Sequence, residues 1–582
     1  MSTERTIPSN KPKSVCTFTI QSEGNAIPGT YHVVSIVVTK EFNRIPSAII
    51  MLLDGDAAAE TFEISNAAEF EPGKKIEIKA GWSSDEETIF KGIVVKQNIK
   101  VKDKNSVLMV ECRDEAMKMT ISPKSKYYKD KKDSEIFEDL ISAYSLDKDV
   151  EPTTLQHKEI VQYNCTDWDF MLCRADVNGK FCVIDDGKIS IKKPNTGANP
   201  ELTVQYGSTL LDLDAEIDAR LQFSKVKAAS WNPTDQELLD TVEAAEPSLP
   251  QAGNLSPSQL SATSSPDPVS MIHSGKITEP ELQQWADARL QKNRLAKIRG
   301  KVKIEGYAKL KPGQIVQLNG VGERFEGKIL ATAIRHQIEQ GQWYTHIQFG
   351  THTEWFAETY QVQQPLAGGM LPAIRGLQTG VVTKIESDPD GEDRIMVRLP
   401  VIHKSDDGIW CRVASLDAGK ERGMFFRPEL SDEVIVGFID EDPRHGVVLG
   451  MLNSSKLPAH TQPKDTNHIK GYVSREKMKL MFDDEKKIIN IETPAGNKFV
   501  ISEDEKSISL IDQNGNKLVM DKDGISLESI KDFKIKATGD IKAEGVNAQV
   551  KASAELKMKG DASAEYASGG TTNVKGSMVN IN

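Results

Sequence analysis

Four short stretches of this 582-residue sequence contain residue types that could bind a phosphate or a metal ion. The first, "GERFEGKI" (322–329), nearly matches the phosphate-binding loop G-x-x-x-x-G-K-[ST], but Ile329 replaces the hydroxyl residue that would hold a metal. Strand-like sequence follows Lys328, so no helix N-terminus would face a phosphate. We therefore interpret this stretch as a turn of a β domain.

The other three stretches lack part of the ligand set that their chemistry requires. "SDPDGED" (387–393) and "DKDG" (521–524) resemble calcium loops, but neither has the ligand at the twelfth position. His346 and His352 have an even spacing on β-type sequence, but no third ligand accompanies them. The sequence has no H-E-x-x-H zinc motif and no G-x-S-x-G nucleophile motif. We expect no catalytic residue, no metal site and no cofactor.

Composition limits the partners that the chain can have. The net charge of −12 argues against nucleic-acid binding and against adsorption to anionic lipid. The N-terminal sequence MSTERTIPSNKPK has no apolar core of a signal peptide, and the apolar run AIIMLL (48–53) is too short to span a bilayer. We therefore expect synthesis in the cytoplasm and no use of the common export signal.

Alternating apolar and polar residues predict a mainly β chain of several domains. Helices are expected from Asp133, from Asp167 to before Gly179, and from the T-x-x-E capping box at Thr278 to Leu295. Five strand-like runs in 376–453 suit an OB-fold. The predicted boundaries are a flexible N-terminus (1–14), a first β-barrel (15–125), an α+β insert (126–200), a second β-barrel (201–355) with a Pro/Ser-rich exposed loop (232–276), a linker (356–375), the OB-fold (376–453), a second linker (454–475) and a repeat region (476–582).

The repeat region contains apolar residues in pairs one residue apart, such as Ile525 with Leu527, at a period near eight to ten residues. A heptad coiled coil would instead show spacings of three and four. A β-helix, an ordinary antiparallel sheet and disorder remain as alternatives, of which a β-helix fits the pattern best.

Several intertwined copies would bury more of this region than one chain can bury alone. A single chain of such short repeats can barely wrap a core, whereas copies around one axis each supply a wall and remove exposed strand edges. Three walls form the smallest closed prism, which predicts a homotrimer with a rigid needle. The predicted needle core consists of Ile525, Leu527, Phe533, Ile535, Ile541, Leu556 and Met558.

Seven stretches in the expected order resemble VgrG-type spike proteins of contractile injection systems, which are similar to a myophage hub fused to its tail spike. The resemblance covers residues 16–582. Its stretches are "EFNRIPSAIIMLLDGD" (41–56), "FEPGKKIEIKAGW" (70–82), "IFKGIV" (89–94) with "VECRDEAMKMT" (110–120), "VQYNCTDWDFMLCRADVNG" (161–179), "LAKIRGKVKIEGYAKLKPGQIVQLNGVGERFEGKI" (295–329), "GLQTGVVTKIESDPDGEDRIMVRLP" (376–400) and "FFRPELSDEVIVGFIDEDPRHGVVLGML" (425–452).

The resemblance implies two hub β-barrels with small helical inserts, an OB-fold neck and an intertwined trimeric β-helix needle. It implies a structural central spike that seats on a hexameric inner tube protein and on baseplate proteins, and whose needle punctures the target membrane. The needle would carry a PAAR-repeat tip protein or effectors, for which Met578, Val579 and Ile581 are the expected contacts.

Under this resemblance the chain is made in the bacterial cytoplasm, joins an injection particle, and is ejected or secreted into the target cell or medium. Type VI secretion, an extracellular phage-like particle and a phage tail all fit. The alternative functions are a trimeric receptor-binding adhesin and an effector enzyme. The missing signal peptide argues against the adhesin, and the lack of room for an additional domain argues against the enzyme.

Overall fold

Period-two alternation of apolar and polar residues makes β-strands the dominant element of this chain. A computed structural model describes residues 15–102, 105–195, 197–239, 241–250, 252–264 and 267–581. The expected flexible N-terminus, 1–14, lies outside these ranges. The chain divides into two units: the first runs to Gly376 and includes Gly437–Gly446, and the second holds Leu377–Val436 and the residues from Val447 onward.

The first unit contains most of the strands. They are β1 (Cys16–Ser22), β2 (Asn25–Ala26), β3 (Val33–Glu41), β4 (Ser47–Leu53), β5 (Lys75–Trp82), β6 (Asp85–Lys102), β7 (Asn105–Arg113), β8 (Pro123–Lys132), β9 (Asp147–Val150), β10 (Gln156–Thr166), β11 (Phe181–Asp185), β12 (Lys188–Lys192), β13 (Leu202–Gln205), β14 (Asp212–Ile217), β15 (Val226–Asn232), β16 (Glu237–Leu238), β17 (Val242–Glu243), β18 (Val269–His273), β19 (Ile298–Glu305), β20 (Ile315–Asn319), β21 (Gly327–Glu339) and β22 (Gln342–Phe349).

Helices are few, and the three predicted ones are confirmed. They are α1 (Asp133–Ser142), α2 (Asp167–Val177), α3 (Pro257–Ser264), α4 (Glu279–Leu295) and α5 (Phe356–Thr359). The helix α2 begins where the Thr166 hydroxyl accepts a hydrogen bond from the Asp169 amide at 3.0 Å. Thr278 stands before α4 as expected, but its side chain makes no capping bond, so the predicted capping box does not form.

The two regions expected to form separate hub barrels share one 13-stranded sheet, which differs from the prediction. Its main path is β14-β19-β22-β21-β3-β4-β7-β6-β5-β1-β2. The regions join where β21 pairs antiparallel with β3, for example Ala333 with Glu41 and Glu339 with Ser35. This pairing gives hydrogen-bond partners to two strand edges that separate open sheets would expose.

Two hydrophobic cores lie along this shared sheet, so the two regions remain distinct in packing. The first is centred on residues such as Ile50, Phe90 and Val110, and the second on residues such as Val302 and Ile347. A third core lies between α1, α2 and their neighbouring strands, with Phe137 and Met171 fully buried.

The segment 232–276, predicted as an exposed loop, contains regular structure, so that prediction is wrong. Its strand β18 pairs in parallel with β15, and its helix α3 buries Leu260. Two parallel strands need a long connecting segment, and residues 232–276 provide the connection between β15 and β18. Leu239, Val242 and Met271 from the segment pack against a small core that includes Leu282 of α4.

The second unit begins with a small barrel. Its region contains β23 (Gln378–Lys384), β24 (Ile395–Arg398), β25 (Ile409–Val413), β26 (Ala418–Gly419), β27 (Arg422–Gly423), β28 (Glu433–Phe438) and β29 (Gly446–Met451). Five of these strands close in the order β23-β24-β25-β29-β28. The buried side chains Val382, Val397 and Cys411 fill its interior. A mainly β chain with a small closed barrel is therefore confirmed.

The C-terminal region forms a seven-stranded antiparallel meander within the chain. Its strands are β30 (Ile469–Val473), β31 (Lys479–Asp483), β32 (Ile488–Glu492), β33 (Lys498–Ser502), β34 (Ser507–Ile511), β35 (Lys517–Asp521) and β36 (Gly524–Glu528), paired in sequence order. Regular structure thus begins inside the predicted linker 454–475. The intertwined β-helix expected over 476–582 is not shown, because such a helix pairs strands of different chains and one chain can pair only its own.

A buried ion pair fastens α2 to α4. The Lys292 ammonium donates to both carboxylate oxygens of Asp176 at 2.6 and 2.9 Å, and both residues are buried. The same carboxylate accepts a hydrogen bond from the Phe356 amide at 2.8 Å, which holds α5 beside the two helices. Three elements from distant parts of the sequence therefore depend on one carboxylate.

We expect Asp176→Ala to destabilise the first unit by about 3–5 kcal/mol, because it leaves the buried Lys292 ammonium without a counter-charge. Urea unfolding followed by tryptophan fluorescence measures this. The matched control is Asp139→Ala, which removes the exposed Lys131–Asp139 pair and should cost less than about 1 kcal/mol. Equal effects of the two variants would contradict the structural role of Asp176.

A buried histidine in β21 makes the first unit sensitive to acid. Burial lowers the pKa of His336 to about 3, and the positive charges of Lys40 and His346 add to this effect. Its Nδ1 lies 3.1 Å from the Thr345 hydroxyl. An unfolded histidine binds a proton near pH 6.5, so the folded state alone stays neutral between about pH 6.5 and about pH 3.

The free energy of unfolding should therefore fall as the pH drops through this window, because the unfolded state binds more protons than the folded state. We expect His336→Gln to reduce that pH slope by up to about 1.4 kcal/mol per pH unit. Unfolding titrations between about pH 6 and pH 4.5 measure the slope. His32→Gln, at an exposed position, serves as the control, and identical slopes in all three proteins would refute the assignment.

Candidate functional site

The strongest candidate site is one face of the C-terminal sheet. In each five-residue strand from β31 to β36, the second and fourth side chains point to the same face. All twelve of these positions are apolar: Leu480, Phe482, Ile489, Ile491, Phe499, Ile501, Ile508, Leu510, Leu518, Met520, Ile525 and Leu527. We call this surface the apolar face.

Strand register arranges these side chains in two continuous rows. One row runs through Leu480, Ile491, Phe499, Leu510, Leu518 and Leu527, and the other through Phe482, Ile489, Ile501, Ile508, Met520 and Ile525. Directly opposed side chains in antiparallel strands lie about 4.5–5.5 Å apart at Cβ, so each row forms an unbroken apolar ridge.

The apolar face is open to solvent in the single chain. Ile491 and Leu510 are each 46% exposed, and exposure rises to 71% at Ile525 near the end of the sheet. Soluble proteins rarely leave an apolar surface of this extent uncovered, because its burial is the main favourable term in folding and association. The face therefore has the character of an unfilled interface.

The opposite face is mixed: it carries charged pairs but also the apolar side chains Met481, Val500 and Val519. Lys479 and Lys498 flank Glu492, with ammonium-to-carboxylate distances of 3.8 and 3.7 Å. Further along, Lys517 pairs with Glu528 at 3.1 Å. Exposed pairs of this kind contribute little to stability. The face formed by the second and fourth positions is the uniformly apolar one of the two.

The turns of the sheet are tied to one another along one edge. The Asn497 side-chain oxygen accepts a hydrogen bond from the Gln513 amide at 3.0 Å, and Asn516 accepts one from the Ile530 amide at 3.1 Å. Hydrogen bonds from Asn516 and its neighbours lower the pKa of the Asp512 carboxyl to about 2. These contacts fix each hairpin against the next.

This edge reveals a repeat that the sequence reasoning missed. Lys479, Lys498 and Lys517 stand 19 residues apart, as do the pair Gly496–Asn497 and the pair Gly515–Asn516. Gly496 and Gly515 both have positive φ, which the turn geometry needs. The repeating unit is thus a pair of strands with two different turns, rather than one strand of eight to ten residues.

The predicted needle core is only partly brought together. Ile525 and Leu527 lie in the two rows, whereas the structure assigns no helix or strand to 529–581, the part that holds the others. Phe533, Ile535, Ile541, Leu556 and Met558 are all more than half exposed. The expected tip contacts Met578, Val579 and Ile581 are also exposed, so both sets remain predictions.

The apolar face continues toward the barrel through aromatic residues that the sequence reasoning did not single out. Tyr472 of β30 is the register partner of Leu480 and so extends the first row. Its ring meets Phe426 edge-on, with ring centres 4.9 Å apart. Phe425 beside it is 77% exposed. The loop that holds Phe425 and Phe426 lacks the recurring apolar pairs one residue apart that mark the repeat region. The sequence therefore contains no signal of its contact with Tyr472.

Two of the motifs that could bind phosphate or a metal ion lie in turns. The stretch 322–329 lies in the turn before β21 and at its start, as expected. The Asp388 carboxylate accepts hydrogen bonds from the Asp390 and Glu392 amides and pairs with Arg394, an arrangement that lowers its pKa and closes a turn. Within the described ranges, no group of three or more His, Cys, Asp or Glu side chains could hold a metal ion.

Two protein-family models match the chain. The Alg8 N-terminal domain matches residues 12–340, more than half of the sequence. The chain belongs to the Alg8 N-terminal domain family. The Type VI secretion system/phage-baseplate injector OB domain matches residues 378–452, where the five-stranded barrel lies. The OB-fold prediction is therefore confirmed for this member of the Alg8 N-terminal domain family.

Curated relatives of this Alg8 N-terminal domain protein are spike proteins. The Pseudomonas aeruginosa type VI secretion system spike protein VgrG5 is 30% identical over 139 residues, 22% of this chain and 17% of the relative. VgrG1c of the same organism is 29% identical over 119 residues, 18% of this chain and 16% of the relative. The aligned part thus spans about one sixth of these relatives' length.

The solved structures to which the chain is similar include the 43 kDa tail protein of prophage MuSo2 from Shewanella oneidensis. It aligns with a TM-score of 0.45 at 11% identity and covers 58% of this chain and 98% of that protein. The predicted resemblance to VgrG-type spike proteins is confirmed by the curated relatives and the injector OB domain. No helix in the described ranges is long and apolar enough to cross a membrane.

If the apolar face is an interface, adjacent substitutions on opposite faces should behave differently. We expect Ile508→Asp to disrupt self-association of the full chain, because it places a charge in the apolar ridge. Ser509→Asp, one residue further on the opposite face, should leave association intact. Sedimentation velocity measures both. Equal association of the two variants would show that the apolar face is not the contact surface.

Proposed function

We propose that this chain is the central spike subunit of a contractile injection apparatus and that it acts as a homotrimer with a structural, non-enzymatic role. The observation that carries the proposal is the apolar face, on which ten of the twelve apolar side chains are at least 36% exposed in the single chain. The injector OB domain and the VgrG spike relatives support the choice of apparatus.

The energetics favour covering this face with other copies of the chain. Completing the burial of twelve partly exposed side chains would contribute on the order of 10 kcal/mol per chain. Three sheets with their apolar faces toward one axis make the smallest closed prism, and cyclic symmetry gives every copy the same surroundings. A face-to-face pair would also cover the apolar face, so the number of copies is what an experiment must determine.

The segment 529–581 gives a second reason for several copies. Few hydrogen bonds to its backbone exist within the described chain; one runs from the Ile530 amide to Asn516, and another from the Ser529 hydroxyl to the Asp532 carbonyl. Apolar pairs one residue apart continue through this segment, as in Phe533 and Ile535. We propose that its backbone pairs with two other copies to form the intertwined part of the needle.

The remaining roles follow from the same proposal. The N-terminal region, through three copies of its two β regions, would present a pseudo-sixfold ring to a hexameric inner tube protein and to baseplate proteins. The OB-fold would form the neck. The end of the chain, including Met578 and Val579, would carry a PAAR-repeat tip protein or effectors. The assembled particle would drive the needle through the target membrane after synthesis of the chain in the bacterial cytoplasm.

Native mass measurement tests the proposal directly. We expect the full chain to form a species of three times its 64.3 kDa mass, with a smooth rod at one end in electron micrographs. Removing the residues from Ile469 onward should abolish the trimer while the barrel and the first unit still fold. A species at 64.3 kDa alone would refute the trimer, and one at twice that mass would favour a face-to-face pair.

A further inference from the structure

The ribbon formed by β8 and β10 is a lysine-rich surface on an acidic chain. Five of the nine residues from Lys124 to Lys132 are lysine, although the whole chain has a net charge of −12. The two strands pair only with each other in the described structure, so the ribbon stands at the side of the first unit with both edges free of further strands.

The inner face of the ribbon is firmly anchored. The Tyr128 ring stacks on Phe170 of α2 at 5.6 Å, and its hydroxyl donates to the Gln162 side-chain oxygen at 3.0 Å. The Gln162 amide donates in turn to Asp167 at 2.9 Å, and Gln162 is 1% exposed. Because this side is fixed, the outer face is presented in a defined geometry.

The outer face carries aromatic and aliphatic side chains that nothing in the described chain covers. Tyr127 is 68% exposed and lies opposite Val161, which is 48% exposed. Tyr163, two residues further along β10, is 77% exposed. Tyrosine is enriched in protein interfaces because its ring buries apolar area while its hydroxyl can still form a hydrogen bond.

Two lysines of the ribbon pair with carboxylates, whereas two others do not. Lys124 binds Asp167 at 2.6 Å and Lys131 binds Asp139 at 3.1 Å. Across the described residues, neither Lys126 nor Lys129 forms an ion pair with a carboxylate. The Lys126 ammonium lies 4.8 Å from the centre of the Tyr128 ring. In the strand register Lys126 lies opposite the buried Gln162, whereas Lys129 lies opposite Glu159 on the face of Tyr127. The two ammonium groups therefore flank the edge of β8 on opposite faces, where an added strand would place alternate side chains.

Lysines on an edge strand can also serve only to prevent aggregation. That role does not account for Tyr127, Val161 and Tyr163, which would promote it. We propose that the β8–β10 ribbon binds an acidic, extended segment of a partner protein, laid along β8 with carboxylates on the unpaired lysines. This mode resembles strand addition, in which backbone pairing supplies affinity and side chains supply selectivity.

A protein partner fits this surface better than nucleic acid does. Asp130 interrupts the run of lysines, Glu159 lies opposite Lys129, and Val161 is central to the exposed face. A phosphate backbone would meet these carboxylates, and the acidic chain as a whole repels polyanions. The proposal is independent of the trimer, because it concerns residues outside the C-terminal sheet.

Fluorescence anisotropy of a labelled 12-residue peptide of alternating glutamate and threonine tests the proposal on the full chain. We expect binding that weakens between about 50 and about 200 mM salt, because screening shortens the range of charge attraction. Lys126→Glu combined with Lys129→Glu should raise the Kd by about tenfold or more. Tyr127→Ser should raise it while leaving the salt dependence unchanged.

The control variant is Lys100→Glu, an exposed lysine of β6 in a different sheet, which should leave the Kd unchanged. Absence of peptide binding, or an unchanged Kd in the double lysine variant, would overturn the proposal. So would binding of a labelled oligothymidine or of phosphatidylglycerol vesicles in place of the peptide, which would assign the ribbon to nucleic acid or to lipid. Binding of the matching lysine-threonine peptide with equal affinity would also overturn it, since charge complementarity would then be absent.

Discussion

A β-strand turns successive side chains to opposite faces, and this constraint governs the C-terminal half of the second unit. Because every strand from β31 to β36 has the same length and starts in the same phase, each contributes two apolar residues to one side. A side chain can move to the other face only if the register of its whole strand shifts by one residue. The apolar face is therefore a property of the entire sheet.

The first unit is held together by contacts between residues far apart in sequence. The pairing of β3 with β21 joins residues about three hundred positions apart, and Asp176 holds Lys292 and the Phe356 amide at one point. Non-local contacts close long loops and are slow to form, but they make the two β regions one mechanical body once formed. The proposed hub would need such continuity to transmit force.

Local features could be predicted from the sequence, and long-range pairing could not. The helix at Asp133 has clear apolar periodicity, the helix at Asp167 has a start signal at Thr166, and the barrel strands alternate clearly. The parallel pairing of β15 with β18 depends on a crossover whose composition is typical of a loop. An antiparallel sheet and a β-helix place alternate residues inward in the same way, so the spacing of Ile525 and Leu527 identified the apolar face but not the strand order.

The 19-residue unit marked by Lys479, Lys498 and Lys517 has a consequence for how such proteins diversify. Each unit adds two strands, and adjacent strands lie about 4.8 Å apart, so one duplication lengthens the sheet by about 10 Å. The two rows of apolar side chains and the linked asparagine turns would continue across the new unit, because its second and fourth strand positions would point to the same face. Length in this segment can thus change in discrete steps while the cross-section of the sheet stays constant.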